Sequence, residues 1–279
     1  MTSLKLGKIS YINAFPVYYG LDLDSAAGRL PSWLEMVPDV PAVLNDKLLA
    51  GEVDISPISA AFYAMHHEEL LILPDFSISC NGPVISVICV SHYPLEELDG
   101  KKVLFSKESV SSSSFLAMIF SRMGIAPHYQ VGPVGNMEKI PSDVDAVLVI
   151  GDDALSLPWE QKFQYRVDLG QAWYEMSALP FVFAVWAVRR DIASSHPDQV
   201  EKVMDLLRNS RIKGYGNLER VIDAGQRRLG LDREVIADYY QHLYCDLDDK
   251  KVEGMGLFFD SLFEQSILSA PAKIQFFGR

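Results

Sequence analysis

The sequence is poor in the features of a metalloprotein, a membrane protein or a nucleic-acid binder. Its three cysteines, Cys80, Cys89 and Cys245, sit in or beside apolar runs at no metal-ligand spacing and read as buried thiols. The six histidines form no HExxH pattern, and the adjacent His66 and His67 would point about 100° apart on a helix. No structural metal is expected. Basic residues are outnumbered, 25 Lys and Arg against 37 Asp and Glu, and a net charge of −12 removes the footprint that nucleic acid or an anionic membrane surface would need. No apolar run approaches the roughly 20 residues that span a bilayer. No basic-then-apolar signal segment precedes Leu4, so a cytoplasmic location is expected. Gly-rich phosphate fingerprints, repeats and low-complexity tails are also missing. What remains is a globular chain of 279 residues, long enough for one large or two modest domains.

Within it one arrangement recurs, an apolar strand running into a polar turn and then a helix. The first instance is GKISYINAFPVYYGL, residues 7–21, where Pro16 falls in the first helical turn because it needs no N–H there. A ligand at such a junction meets free backbone donors. Asn13 adds an uncharged amide and Tyr11 a phenol with a flat apolar face. The second instance is GEVDISPISAAFYA, with Ser56 as the helix cap and Pro57 at the first helical position. A strand over Val84–Val90 carries a single polar side chain, Ser86. The third instance leads from a strand over Lys102–Phe105 through Ser111, Ser112, Ser113 and Ser114 into a helix patterned on Phe115, Met118, Ile119 and Phe120. Four serines can also be a flexible linker, but these lie tight between two apolar elements. A strand over Val144–Ile150 empties into Gly151-Asp152-Asp153, where the carboxylates suit helix capping as well as acid/base work. From Pro197 onward the pattern is helical.

The opening run resembles the start of the menaquinone-biosynthesis proteins of the futalosine route, in particular the chorismate dehydratase family, whose first strand ends in a Tyr-x-Asn-x-x-Pro turn. The resemblance continues in DISPISAAFYA, GPVISV, SVSSSSFL, DAVLVIGDDAL and ALPFVFAVWAVRRD. It implies a Ser/Thr-rich substrate turn matching Ser111, Ser113 and Ser114, with Ser113 standing where the family commonly has Thr.

Strand–helix alternation argues for α/β layers with mostly parallel sheets. Two all-apolar strands, near 84–90 and 181–188, look like the only connections into and out of the segment between them. The expectation is two lobes, 1–88 with 187–279 and 89–186, around a ligand cleft. The resemblance implies the type 2 periplasmic-binding-protein-like fold. It also implies a cofactor-independent lyase that dehydrates chorismate, a dianion, to 3-[(1-carboxyvinyl)oxy]benzoate. Asn13 is then assigned to catalysis, and Tyr11, Ser56, Ser86, Ser111, Ser112, Ser113, Ser114 and Asp152 to substrate binding. Two alternatives stay open: a binding protein for a small carboxylate, and the sister enzyme that makes 1,4-dihydroxy-6-naphthoate. In that sister family a histidine stands where this chain has Gly151.

Overall fold

The computed structural model describes residues 3–106 and 110–278, so Ser109 of the SVSSSSFL run lies outside the described residues. In the first lobe β1 (Leu4–Ile9) passes through a 3-10 turn, Ile12–Ala14, into α1 (Phe15–Ala26). Then β2 (Leu34–Asp39) leads to α2 (Pro41–Leu49), β3 (Ile55–Ser59) to α3 (Ala60–Met65), and β4 (Leu70–Cys80) follows. The second lobe holds β5 (Val87–Ser91), β6 (Lys102–Ser106), α4 (Val110–Met123), β7 (His128–Gly132), β8 (Ala146–Ile150), α5 (Gly151–Ser156), β9 (Tyr165–Asp168) and α6 (Leu169–Ser177). The chain then returns to the first lobe with β10 (Phe181–Arg189), α7 (Arg190–Ser195), α8 (Pro197–Gly216), α9 (Leu218–Leu229), α10 (Arg233–His242) and α11 (Asp249–Glu264). Among the described residues no helix is long and apolar enough to cross a membrane.

The two sheets, β2-β1-β3-β10-β4 and β7-β6-β8-β5-β9, share one plan. Strands linked by helices pair in parallel, β1 with β2 and β3, and β6 with β7 and β8. The strand that arrives from the other lobe, β10 or β5, inserts antiparallel on both of its edges, so each sheet is mixed. β10 pairs in the first sheet from Phe181 to Arg189, and β5 pairs in the second from Val87 to Ser91. The sheets therefore divide the chain at the links 81–86 and 178–180, whereas limits at 88/89 and 186/187 would cut through β5 and β10.

Three local expectations shift for identifiable reasons. In sequence Leu70–Leu73 and Phe76–Cys80 read as two strands, yet they form one, β4, with Asp75 in the left-handed region (φ 76°) and a shift in register against β10. β5 begins at Val87 and not at Val84, because Ile85 takes φ 54° and Ser86 N–H bonds back to Val84 O at 2.7 Å. This unusual turn is pinned by Asp168, whose carboxylate accepts from the backbone N–H of Val84 and Ile85 while capping α6 through Gln171 N–H. Ser56-Pro57 is not a helix start: β10 pairs with β3 from Ile55 to Ser59, and α3 begins three residues later. Pro57 is tolerated because β1 pairs with β3 only at Ile55, which leaves the rest of that edge without a ladder.

Helix α1, which follows the first polar turn, is held against α8 by backbone-close packing. A Cβ at Gly214 would lie 2.0 Å from Pro16 O, and one at Gly20 would lie 2.7 Å from Ser210 Cα. Neither neighbour is a flexible side-chain end. Gly214→Ala should lower the free energy of unfolding by about 1–3 kcal/mol through overpacking. Urea denaturation checks this, and an unchanged midpoint would show that the helices separate freely.

Candidate active site

The cleft lies between the lobes where the carboxyl ends of parallel strands face one another, the place such sheets offer to ligands. Ile9 ends β1, Ser59 ends β3 and Ile150 ends β8, and all three line it. Ile58, Ile78, Val84, Val87, Phe183 and Ala184 make its walls largely apolar. Its atom-free volume is about 580 Å³, part of it open to solvent.

Five helical N-terminal ends reach this space, each through a residue of its cap or first turn. They are Tyr11 and Asn13 of the 3-10 turn, Pro41 of α2, Ser59 of α3, Ser111 and Ser112 of α4, and Gly151 of α5. Among the described residues none that lines the cleft carries a charge. An anion here would be held by hydroxyl and amide donors and by helix dipoles, each dipole contributing about 0.3–1 kcal/mol.

Of the residues singled out in the sequence, Tyr11, Asn13, Ser86, Ser111 and Ser112 line the cleft. Asn13 Oδ1 is buried and accepts no hydrogen bond among the described residues, which costs about 1–3 kcal/mol unless a ligand supplies the donor. Ser86 is buried and accepts from Tyr239 Oη at 3.1 Å. Burial pushes the Tyr239 phenol far above its ordinary pKa, so the phenol stays protonated and donates. The Ser86 hydroxyl proton is thereby left for the cleft. Ser112 has no side-chain hydrogen bond among the described residues and is likewise available.

Ser111 is committed elsewhere. Its Oγ accepts from Ala61 N at 2.9 Å and donates to Phe183 O at 3.0 Å, which ties α4 of the second lobe to α3 and β10 of the first. Ser56, Ser113, Ser114 and Asp152 do not line the cleft. Ser56 is fully buried, donates to Pro57 O at 3.0 Å and packs under Gly7, where a Cβ would lie 2.3 Å from Ser56 Oγ. All four serines lie inside α4, which begins at Val110, so they occupy different sides of a helix instead of one turn. Ser113 donates back to Val110 O at 3.1 Å, and Ser114 is buried away from the cleft. Asp152 accepts from Ile12 N at 3.0 Å and pairs with Arg228 Nε at 2.7 Å.

Sequence reasoning missed Ser59, which caps α3 by accepting from Phe62 N at 3.2 Å and offers its own proton to the cleft. The helix reading hid it: once Ser56-Pro57 is taken as a helix start, Ser59 falls inside the helix. Gly151 was noted only for what stands there in the sister family. It has φ 64°, donates N–H to Ser86 O at 2.7 Å, and would place a Cβ 3.0 Å from the Tyr11 ring.

Comparison with known proteins agrees with this geometry. Over 272 residues the chain is 32% identical to the chorismate dehydratase of Thermus thermophilus, covering 92% of this chain and 94% of that one. The chorismate dehydratase of Campylobacter jejuni is 27% identical over 179 residues, 64% of each chain. Among solved structures, the alkanesulfonate-binding protein of Xanthomonas axonopodis pv. citri, bound to MOPS, superposes with a TM-score of 0.73 at 15% identity over 98% of this chain and 96% of its own. A protein of Archaeoglobus fulgidus superposes at 0.72 with 20% identity, covering 95% and 97%. These likenesses show the periplasmic-binding-protein-like fold. Because the family model for menaquinone biosynthesis matches residues 4–264, nearly the whole chain, the protein belongs to the menaquinone biosynthesis family.

Proposed function

We propose that this protein is a chorismate dehydratase, a lyase that removes water from chorismate to form 3-[(1-carboxyvinyl)oxy]benzoate. The likeness to the Thermus enzyme over nearly the full length of both chains carries this reading. The cleft supports it: an uncharged, largely apolar space ringed by helix N-termini suits an unsaturated ring bearing two carboxylates. A cytoplasmic location is part of this reading, and the likeness to a biosynthetic enzyme supports it. The binding-protein alternative shares only the fold, since the sulfonate-binding structure is 15% identical.

In the reaction the ring C–H next to the ether oxygen breaks, the neighbouring C–OH bond breaks, and the electron pair left by the proton completes the aromatic ring. Aromatisation supplies the driving force, so the protein's task is to hold geometry and assist one proton removal and one hydroxide departure. No carboxylate, imidazole or amine lines the cleft among the described residues. The substrate's own enolpyruvyl carboxylate therefore takes the ring proton in this reading. The Asn13 amide orients that group, and the hydroxyls of Ser59, Ser86 and Ser112 with the helix N-termini hold the dianion.

Purified protein incubated with chorismate should yield a product lighter by one water on mass spectrometry, and unchanged chorismate would overturn the reading. The serine positions make a finer test. Ser112→Ala should weaken binding of the product by about 1.5–3 kcal/mol, the loss of one charge-assisted hydrogen bond. Ser114→Ala should change it by less than about 0.5 kcal/mol. Isothermal titration separates the two, and the opposite ranking would mean that Ser114 faces the ligand.

A further inference from the structure

We infer that Asp152 is a positioning residue, which reaches across from the second lobe to cap the turn carrying Asn13. This inference rests on the reading of Asn13 as the group that acts on the substrate. Tyr11, at the cap position of the turn, supplies no side-chain acceptor of its own. Asp152 does so from 140 residues away: Oδ1 accepts the Ile12 N–H, and Oδ2 is held by Arg228 Nε of α9. On the other side of the same residue the Tyr240 phenol donates to Ile12 O at 2.9 Å. The backbone immediately before Asn13 is thus gripped at both its donor and its acceptor, while the Asn13 amide itself makes no bond through Oδ1. A side chain with no partner of its own owes its direction to the backbone beneath it. Asp152 and Ile12 belong to different lobes, so the grip exists only while the lobes face each other across the cleft. Closure and alignment of Asn13 are then one event.

Asp152→Ala should lower kcat roughly 10- to 100-fold, as expected when a reacting group is misplaced by about an ångström, with KM changed by less than about threefold. Asp152→Asn offers one acceptor to two donors and should lose less. Adding Arg228→Met to it removes the competing donor, so the double variant should recover about threefold or more in kcat over Asp152→Asn alone. The neighbouring Asp153→Asn is the control, since Asp153 neither lines the cleft nor touches the turn. Amide hydrogen exchange reads the same grip without the reaction: exchange over residues 12–14 should quicken in Asp152→Ala and stay unchanged in Asp153→Asn. Unchanged kcat and exchange in Asp152→Ala would overturn the inference. So would equal losses in Asp153→Asn, or faster exchange across the whole first sheet. If the wild-type protein leaves chorismate intact while exchange at 12–14 still quickens in Asp152→Ala, the grip stands and the proposed reaction falls.

Discussion

Asn13→Ala should lower kcat by roughly 10²–10³-fold, the loss measured when one preorganised polar group is removed from a transition state, while substrate affinity changes by less than about threefold. The split follows from where the amide sits. Its buried Oδ1 has no partner among the described residues, so it is costly to leave unused and inexpensive to delete in the empty protein. Ground-state affinity comes mainly from the hydroxyls and helix ends around the two carboxylates, which alanine leaves in place. An interaction that matters more as the proton moves and hydroxide departs lowers kcat and kcat/KM together. Asn13→Asp should be worse in both respects, because it sets a negative charge against a dianion in a site with no cation among the described residues. Steady-state kinetics with chorismate, paired with titration of the product, would decide it. Full turnover in Asn13→Ala would remove the amide from the mechanism.

Gly151→Val should cut kcat/KM by about 10²-fold or more. A Cβ at this position would lie 3.0 Å from two atoms of the Tyr11 ring, so the ring must move or the lobes must part. The backbone, at φ 64°, adds about 1–2 kcal/mol of strain for a residue with a Cβ, and more for one branched there. Movement at Gly151 also disturbs its N–H bond to Ser86 O and, one residue on, the Asp152 carboxylate. Gly151→Ala should show the smaller version of the same defect. Kinetics of both variants, with denaturation curves to separate strain from misplacement, checks the claim. Wild-type kcat/KM in Gly151→Val would mean that the Tyr11 ring yields without consequence.

The parts of this site that could be read in the chain are those set by neighbours in sequence. Ile9, the polar turn and Pro16 announce a strand, a turn and a helix within a dozen residues, and the structure has all three. Ser56-Pro57 carries an equally good local signal, yet it is overruled by pairing with β10, whose residues lie about 130 positions away. The serine run was misjudged for a different reason, because its helical phase was legible and was not extended far enough. Ser111 and Ser112 stand four residues before Phe115 and Leu116, so they share the buried face those residues mark, while Ser113 falls between. Asp152 had no such clue. One of its partners is a backbone N–H in the other lobe, and backbone donors leave no trace in composition or spacing; the other, Arg228, is 76 positions away.

The sheet order has a consequence for the chain as it is made. β4, an eleven-residue and mostly buried strand, pairs with β10 on one edge. Among the described residues its other edge meets only isolated bridges to Tyr244 and Phe276. Every one of these partners is encoded after residue 180. The strands of the second sheet, by contrast, find all their partners between Val87 and Asp168. On the ribosome the inserted lobe can complete its sheet while β4 still has an unpaired apolar edge. At typical elongation speeds the wait from the end of β4 to β10 lasts roughly 5–20 s. It ends when β10 emerges and slots between β3 and β4, and until then β4 has no strand to pair with.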